Sequence, residues 1–253
     1  MMAMSEHERL YTPSEWSKRY KSEELLERFF TFCAEVTDKT RRTVKCELNV
    51  PYGPTKRAKY DIYGTDLPKV RIGDIVAEIK AAVTQILKYA ADSESKYVCI
   101  AGHSAGAHLA ACLLHDDDWI NRMKQQGYFA LLKEIILISG LYNLKPVVDT
   151  SHGTALKLTE EEIKAFSVST LDETKGRRIS GLKVVVIVGD CDSPTFVDES
   201  RKYAQKIIPI VDNVEYILLE DIDHFNIVEE LLNSDYDLAK LILKCLQPDA
   251  NIH

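Results

Sequence analysis

Four short apolar runs constrain the fold more than any other feature. They are "KYVCIAG" (96–102), "EIILISG" (134–140), "LKVVVIVGD" (182–190) and "NVEYILLE" (213–220). A strand with one face in water alternates apolar and polar residues, whereas a near-continuous apolar run reads as a strand covered on both faces. The segments around them have helical character. Ile72, Ile75, Val76, Ile79, Val83, Ile86 and Leu87 recur at helical spacing to about Ala91. "AGAHLAACLL", "PTFVDESRKYAQKII" and "HFNIVEELLNSDYDLAKLILKCL" read as further helices. Strands alternating with helices predict an α/β fold, a mostly parallel sheet with helices on both faces.

Upstream, "SEWSKRYKSEELLERFFTFCAEVTDKT" reads as one or two helices with Ser14 or Ser22 as caps. "RTVKCELNVPYGPTKRAKYDIYG" alternates around a "PYGP" turn and reads as an antiparallel hairpin. Residues 141–180 are polar and irregular, and are expected to form a lid-like insertion over one end of the sheet. Residues 1–253 are read as one domain.

Composition removes several functional classes. The net charge of −7 argues against a general basic surface for nucleic acid. No stretch reaches the roughly 20 apolar residues of a membrane span. The N-terminal "MMAMSEHERLYTPSEW" lacks an apolar signal core, so a cytoplasmic location is expected. The six cysteines are scattered with no CxxC pair and are expected to be reduced. No His-x-x-x-His with a nearby acid suggests zinc, and no cofactor or metal is expected.

The chemistry centres on Gly102-His103-Ser104-Ala105-Gly106, a G-x-S-x-G motif between an apolar strand and a small-residue helix. A strand turning sharply into a helix crowds its backbone. Glycines on either side relieve that crowding and leave the serine strained and exposed at the strand's C-terminal end. A serine nucleophile needs a base, and the base needs an orienting acid. In this kind of fold the chain order is Ser, then Asp or Glu, then His. Asp190 and Asp192 follow the third apolar run, and His224 follows the fourth, so both acid and base lie beyond strand ends. Asp192 sits further into its loop than Asp190, which could simply cap the turn, but position alone leaves both as candidates for the acid. His108 and His115 lie on the helix after the elbow and read as packed or solvated. His103 is expected to shape or line the site, while His7 and His253 are terminal.

The elbow, "GDCDSPTF" and "DHFNIVEEL" together resemble kynurenine formamidase (arylformamidase), an α/β-hydrolase close to the hormone-sensitive-lipase-like esterases. "SGLYNLKPVV", "LKLTEEEIKAFSVST", "YTPSEWSKRY" and "YDIYG" fit the same family, so the resemblance covers most of the chain. It implies that Ser104 attacks a formamide carbonyl, that His224 acts as base and then acid, and that Asp192 orients His224. The implied substrate is a small aromatic formamide, N-formyl-L-kynurenine, split into formate and L-kynurenine without a cofactor. No nucleic-acid or membrane partner is implied, and a homodimer stays open.

The chain departs from this family at one place. Such enzymes carry an HGG-type segment whose N–H groups share the oxyanion with the residue after the serine, here Ala105. This chain has no Gly-Gly, and its only His-Gly, His152-Gly153, reads as a loop in the wrong region. "YDIYGTDLP" runs directly into "KVRIGDIVAEIK", so a strand–helix–strand block is missing between about Pro68 and Lys69. Three readings stay open: a formamidase, a carboxylesterase of the same fold, or an impaired shortened relative acting as a non-enzymatic protein.

Overall fold

The computed structural model describes residues 4–43, 71–171 and 178–246. The expected hairpin lies almost entirely outside them; its first two residues, 42 and 43, end a helix instead. In chain order, the elements are α1 (Glu6–Leu10), α2 (Ser22–Thr43), α3 (Ile72–Asp92), β1 (Val98–His103) and α4 (Ala105–Leu113). Then follow α5 (Asp117–Gln125), β2 (Leu132–Ile138), α6 (Ser151–Leu156), α7 (Glu160–Phe166) and β3 (Ile179–Gly189). The chain continues with α8 (Pro194–Ile207), β4 (Val211–Leu219), α9 (Asn226–Glu229) and α10 (Asp237–Leu246).

Among the described residues the four strands form one parallel sheet in the order β1-β2-β3-β4. Successive side chains on a strand point to opposite faces, and here both faces are apolar. Ile135, Leu137, Val184 and Val186 pack into a core with α3, α4, α5 and α8. Ile136, Ile138, Val185 and Ile187 face the other way, onto Ile227 of α9 and Leu238 of α10. This two-sided burial is why β2 and β3 read as unbroken apolar runs. β1 differs. It pairs only with β2 among the described residues, and of its six residues only Val98 is buried, with Ala101 exposed.

Three readings of local structure are corrected. The expected helix over 224–246 is two helices, because Asn233 is extended and its side chain accepts the Asp235 N–H at 3.0 Å, closing a turn. The region read as irregular contains α6 and α7, each begun by a threonine side chain accepting an N–H: Thr150 from Gly153, and Thr159 from Glu162. His152-Gly153, read as a loop, therefore lies inside α6. There a Cβ on Gly153 would sit 2.2 Å from the Val147 carbonyl oxygen, so close packing explains that glycine.

Candidate active site

Ser104 stands between β1 and α4 at φ +57°, ψ −120°, a backbone state that L-residues adopt only under constraint. Its N–H is held by the Ile138 carbonyl at the end of β2, at 2.9 Å. The two motif glycines do different work. A Cβ on Gly102 would lie 2.3 Å from the Gly106 carbonyl oxygen, whereas a Cβ on Gly106 would meet nothing within 4 Å. The expectation that both relieve crowding is corrected accordingly: Gly102 makes room for Gly106. The Ala105 N–H opens α4 and has no hydrogen-bond partner among the described residues.

Asp192 and His224 come together from two loops. His224 Nδ1 donates to Asp192 Oδ2 at 2.7 Å, with both residues buried. The other carboxylate oxygen, Oδ1, accepts the Ser193 N–H at 2.7 Å, so Asp192 is fixed from two sides. With Nδ1–H donated to Asp192, Nε2 is the ring nitrogen left to face other partners. Asp190 is exposed and takes the Cys191 thiol at 3.2 Å instead. The two loops meet because Gly189, at the end of β3, has no side chain. A Cβ there would lie 2.0 Å from the Ile222 carbonyl oxygen, the same atom that accepts the Cys191 N–H at 2.9 Å. Gly189 precedes Asp192 by three residues and opens the "GDCDSPTF" segment, but its type alone does not announce this contact.

His103 ties the elbow to the histidine loop. Its Nε2–H donates to the His224 carbonyl at 2.8 Å, and the two rings lie 4.7 Å apart. Burial, and then the neighbouring His224, bring its pKa down to about 3 despite that hydrogen bond, so the ring is neutral at ordinary pH. Phe196 of α8 stands edge-on to the His224 ring at 5.0 Å. Ser104 therefore sits beside a residue bonded to the His224 backbone, but its hydroxyl makes no hydrogen bond to His224 among the described contacts.

The rival histidines have other partners. His108 is buried and donates through Nδ1 to the Leu141 carbonyl at 2.8 Å. His115 bonds the Tyr203 hydroxyl at 2.9 Å. Among the described residues no group of three or more His, Cys, Asp or Glu could hold a metal ion. No described helix is long and apolar enough to cross a membrane.

No family model matches the chain. A candidate thioesterase of known structure from Silicibacter superposes with a TM-score of 0.69 at 21% identity, covering 95% of this chain and all of that one, which shows the fold. Kynurenine formamidase from Danio rerio is 27% identical over 291 residues, with 97% of each chain covered. Kynurenine formamidase from Salmo salar is 30% identical over 294 residues, again with 97% of each chain covered. That span exceeds the 253 residues present here, so the salmon protein carries residues with no counterpart in this chain. The fold, the elbow and this similarity over nearly the full length of both chains agree: the chain belongs to the kynurenine formamidase family.

Proposed function

We propose that this chain is a serine hydrolase of aryl formamides, with N-formyl-L-kynurenine as substrate and Ser104, His224 and Asp192 as its working residues. The observation that carries this reading is the buried Asp192–His224 hydrogen bond of 2.7 Å, set beyond the ends of β3 and β4, at the same C-terminal end of the parallel sheet as the strained Ser104 elbow. The relatives supply the substrate class, since both are named for kynurenine formamidase activity.

In the proposed reaction His224 Nε2 takes the Ser104 hydroxyl proton as Oγ bonds to the formyl carbon. The carbonyl oxygen gains the negative charge, and the Ala105 N–H donates to it. As the tetrahedral species collapses, the carbon–nitrogen bond breaks and His224 returns the proton to the departing aniline nitrogen. The products are L-kynurenine and a formyl ester on Ser104. His224 then takes a proton from water, hydroxide adds to the ester, and formate leaves as the Ser104 proton is restored. Asp192 holds the Nδ1–H throughout, which fixes the tautomer that makes Nε2 the base.

Steady-state hydrolysis of N-formyl-L-kynurenine and p-nitrophenyl acetate by wild type and Ser104→Ala tests the reading. The expected result is a higher kcat/KM for the formamide, lost in the variant. Faster turnover of the acetate would favour the carboxylesterase reading, because the chemistry is shared and the pocket decides. Undiminished activity in Ser104→Ala would overturn the nucleophile.

A further inference from the structure

The N-terminal segment, residues 5–20, runs across the loops that carry the acid and the base. His7 Nε2–H donates to the Pro146 carbonyl at 2.7 Å. Ser193, the residue after Asp192, donates its hydroxyl to the Leu10 carbonyl at 2.5 Å. Asp223, the residue before His224, accepts the Ser17 hydroxyl at 2.5 Å. The same carboxylate takes both sides of the Arg19 guanidinium, Nε at 2.9 Å and Nη2 at 3.0 Å. Arg19 Nη1 reaches on to Glu229 of α9 at 2.8 Å.

The Asp223 carboxylate also organises the turn that carries His224. Its Oδ1 accepts the Phe225 and Asn226 N–H groups, each at 2.9 Å, and its own N–H donates to Asn226 Oδ1 at 2.6 Å. Burial alone would raise this carboxyl. The bonds from Arg19 and Ser17, together with those from the backbone, outweigh it and leave the pKa at about 2. Asp223 is therefore a buried anion that depends on a partner, and a two-toothed guanidinium contact fixes direction as well as charge.

We infer that the N-terminal segment is a strap that sets the spacing between the acid and base loops, and that Arg19 is a positioning residue acting on His224 through Asp223. The Asp192–His224 bond spans two separate loops, and working geometry tolerates only about 0.5 Å of error. One continuous segment anchored to the neighbour of each partner supplies that constraint. The inference rests on the functional reading above.

The test uses the full chain as wild type, Arg19→Gln, Arg19→Lys and a control, Arg201→Gln, whose exposed guanidinium pairs with Asp198 on α8. The first readout is fluorophosphonate modification of Ser104, resolved into the reagent's dissociation constant and the rate of the chemical step, on samples with matched circular dichroism. The second is the downfield proton resonance of the His224 Nδ1–H to Asp192 hydrogen bond, which does not need Ser104 to react.

Arg19→Gln should slow the chemical step by about tenfold or more with reagent binding unchanged, and should broaden or remove the downfield proton. Arg19→Lys, keeping charge without the fork, should recover part of both. The control should match wild type. An unchanged chemical step in Arg19→Gln overturns the inference, as does a loss shared equally by binding and folding signals. An unchanged downfield proton in Arg19→Gln overturns it as well. If the wild-type chain takes no label at Ser104, that counts against the functional reading, and the proton resonance still decides the role of Arg19.

Discussion

Ser104, half-buried at its strained turn, depends on one neighbour. The structure assigns the steric burden of the elbow to Gly102, where a Cβ would strike the Gly106 carbonyl at 2.3 Å, and leaves open space at Gly106. A backbone atom cannot swing aside as a flexible side chain can. Gly102→Ala is therefore predicted to destabilise the fold by about 3 kcal/mol or more, by forcing β1 and α4 apart. Gly106→Ala, early in α4, is predicted to leave stability unchanged or raise it by up to about 1 kcal/mol, through better helix propensity. Urea unfolding of both variants checks this, and equal losses would mean that the elbow is not built as described. At this scale the motif was legible because its residues are contiguous and their types are set by the turn. Arg19, Ser17 and Gly189 lie in segments that carry the family resemblance, but their roles were not legible. Each acts through a contact distant in sequence, and nothing local marks an arginine that will bond a carboxylate 204 positions later.

At the scale of elements, β2 and β3 could be read from the sequence because burial on both faces leaves short apolar runs rich in Val and Ile. The starts of β2 and β4 could not. β2 begins at Leu132, ahead of Lys133, and β4 at Val211, ahead of Asp212, so charged residues sit within strands whose ends reach solvent. The small helices α6 and α7 were missed because their caps, Thr150 and Thr159, stand in a stretch dominated by polar residues.

One contact between elements makes a pH prediction. Glu199 of α8 accepts the Tyr142 and Asn143 N–H groups, at 2.7 and 3.0 Å, where the chain leaves β2. Burial raises its pKa from 4.5 to about 7 against those two bonds. The folded state then holds this proton more tightly than the unfolded chain, so stability falls as pH rises from about 4.5 to about 7 and stays lower above that. Glu199→Gln keeps the acceptor oxygen and removes the titration. Its stability relative to wild type should become more favourable across that interval, by on the order of 1–3 kcal/mol in total. Thermal unfolding at stepped pH measures this, and a difference that stays flat with pH would contradict it.

For the whole molecule, the comparison with the salmon relative is decisive. β1 carries the proposed nucleophile yet forms an edge among the described residues, with Ala101 exposed in mid-strand. The Salmo salar match spans more positions than this chain has residues. The second observation supports our proposal that a strand–helix–strand block, and with it the HGG-type donors, is lacking between about Pro68 and Lys69. One missing oxyanion donor typically costs about 10²–10³ in turnover. A chain with the block restored is therefore predicted to hydrolyse N-formyl-L-kynurenine at least about 100-fold faster, measured on monodisperse protein. Equal turnover would mean that another segment supplies the donors. The acid–base pair does not depend on that block, so the central claim can be tested on the chain as it stands. The measurement is peptide mapping by mass spectrometry after fluorophosphonate treatment, with heat-denatured protein as control. The prediction is a single adduct on Ser104 of the folded chain, absent after denaturation and strongly slowed in His224→Ala. An adduct on another residue, none at all, or one that forms as fast without His224 would contradict it.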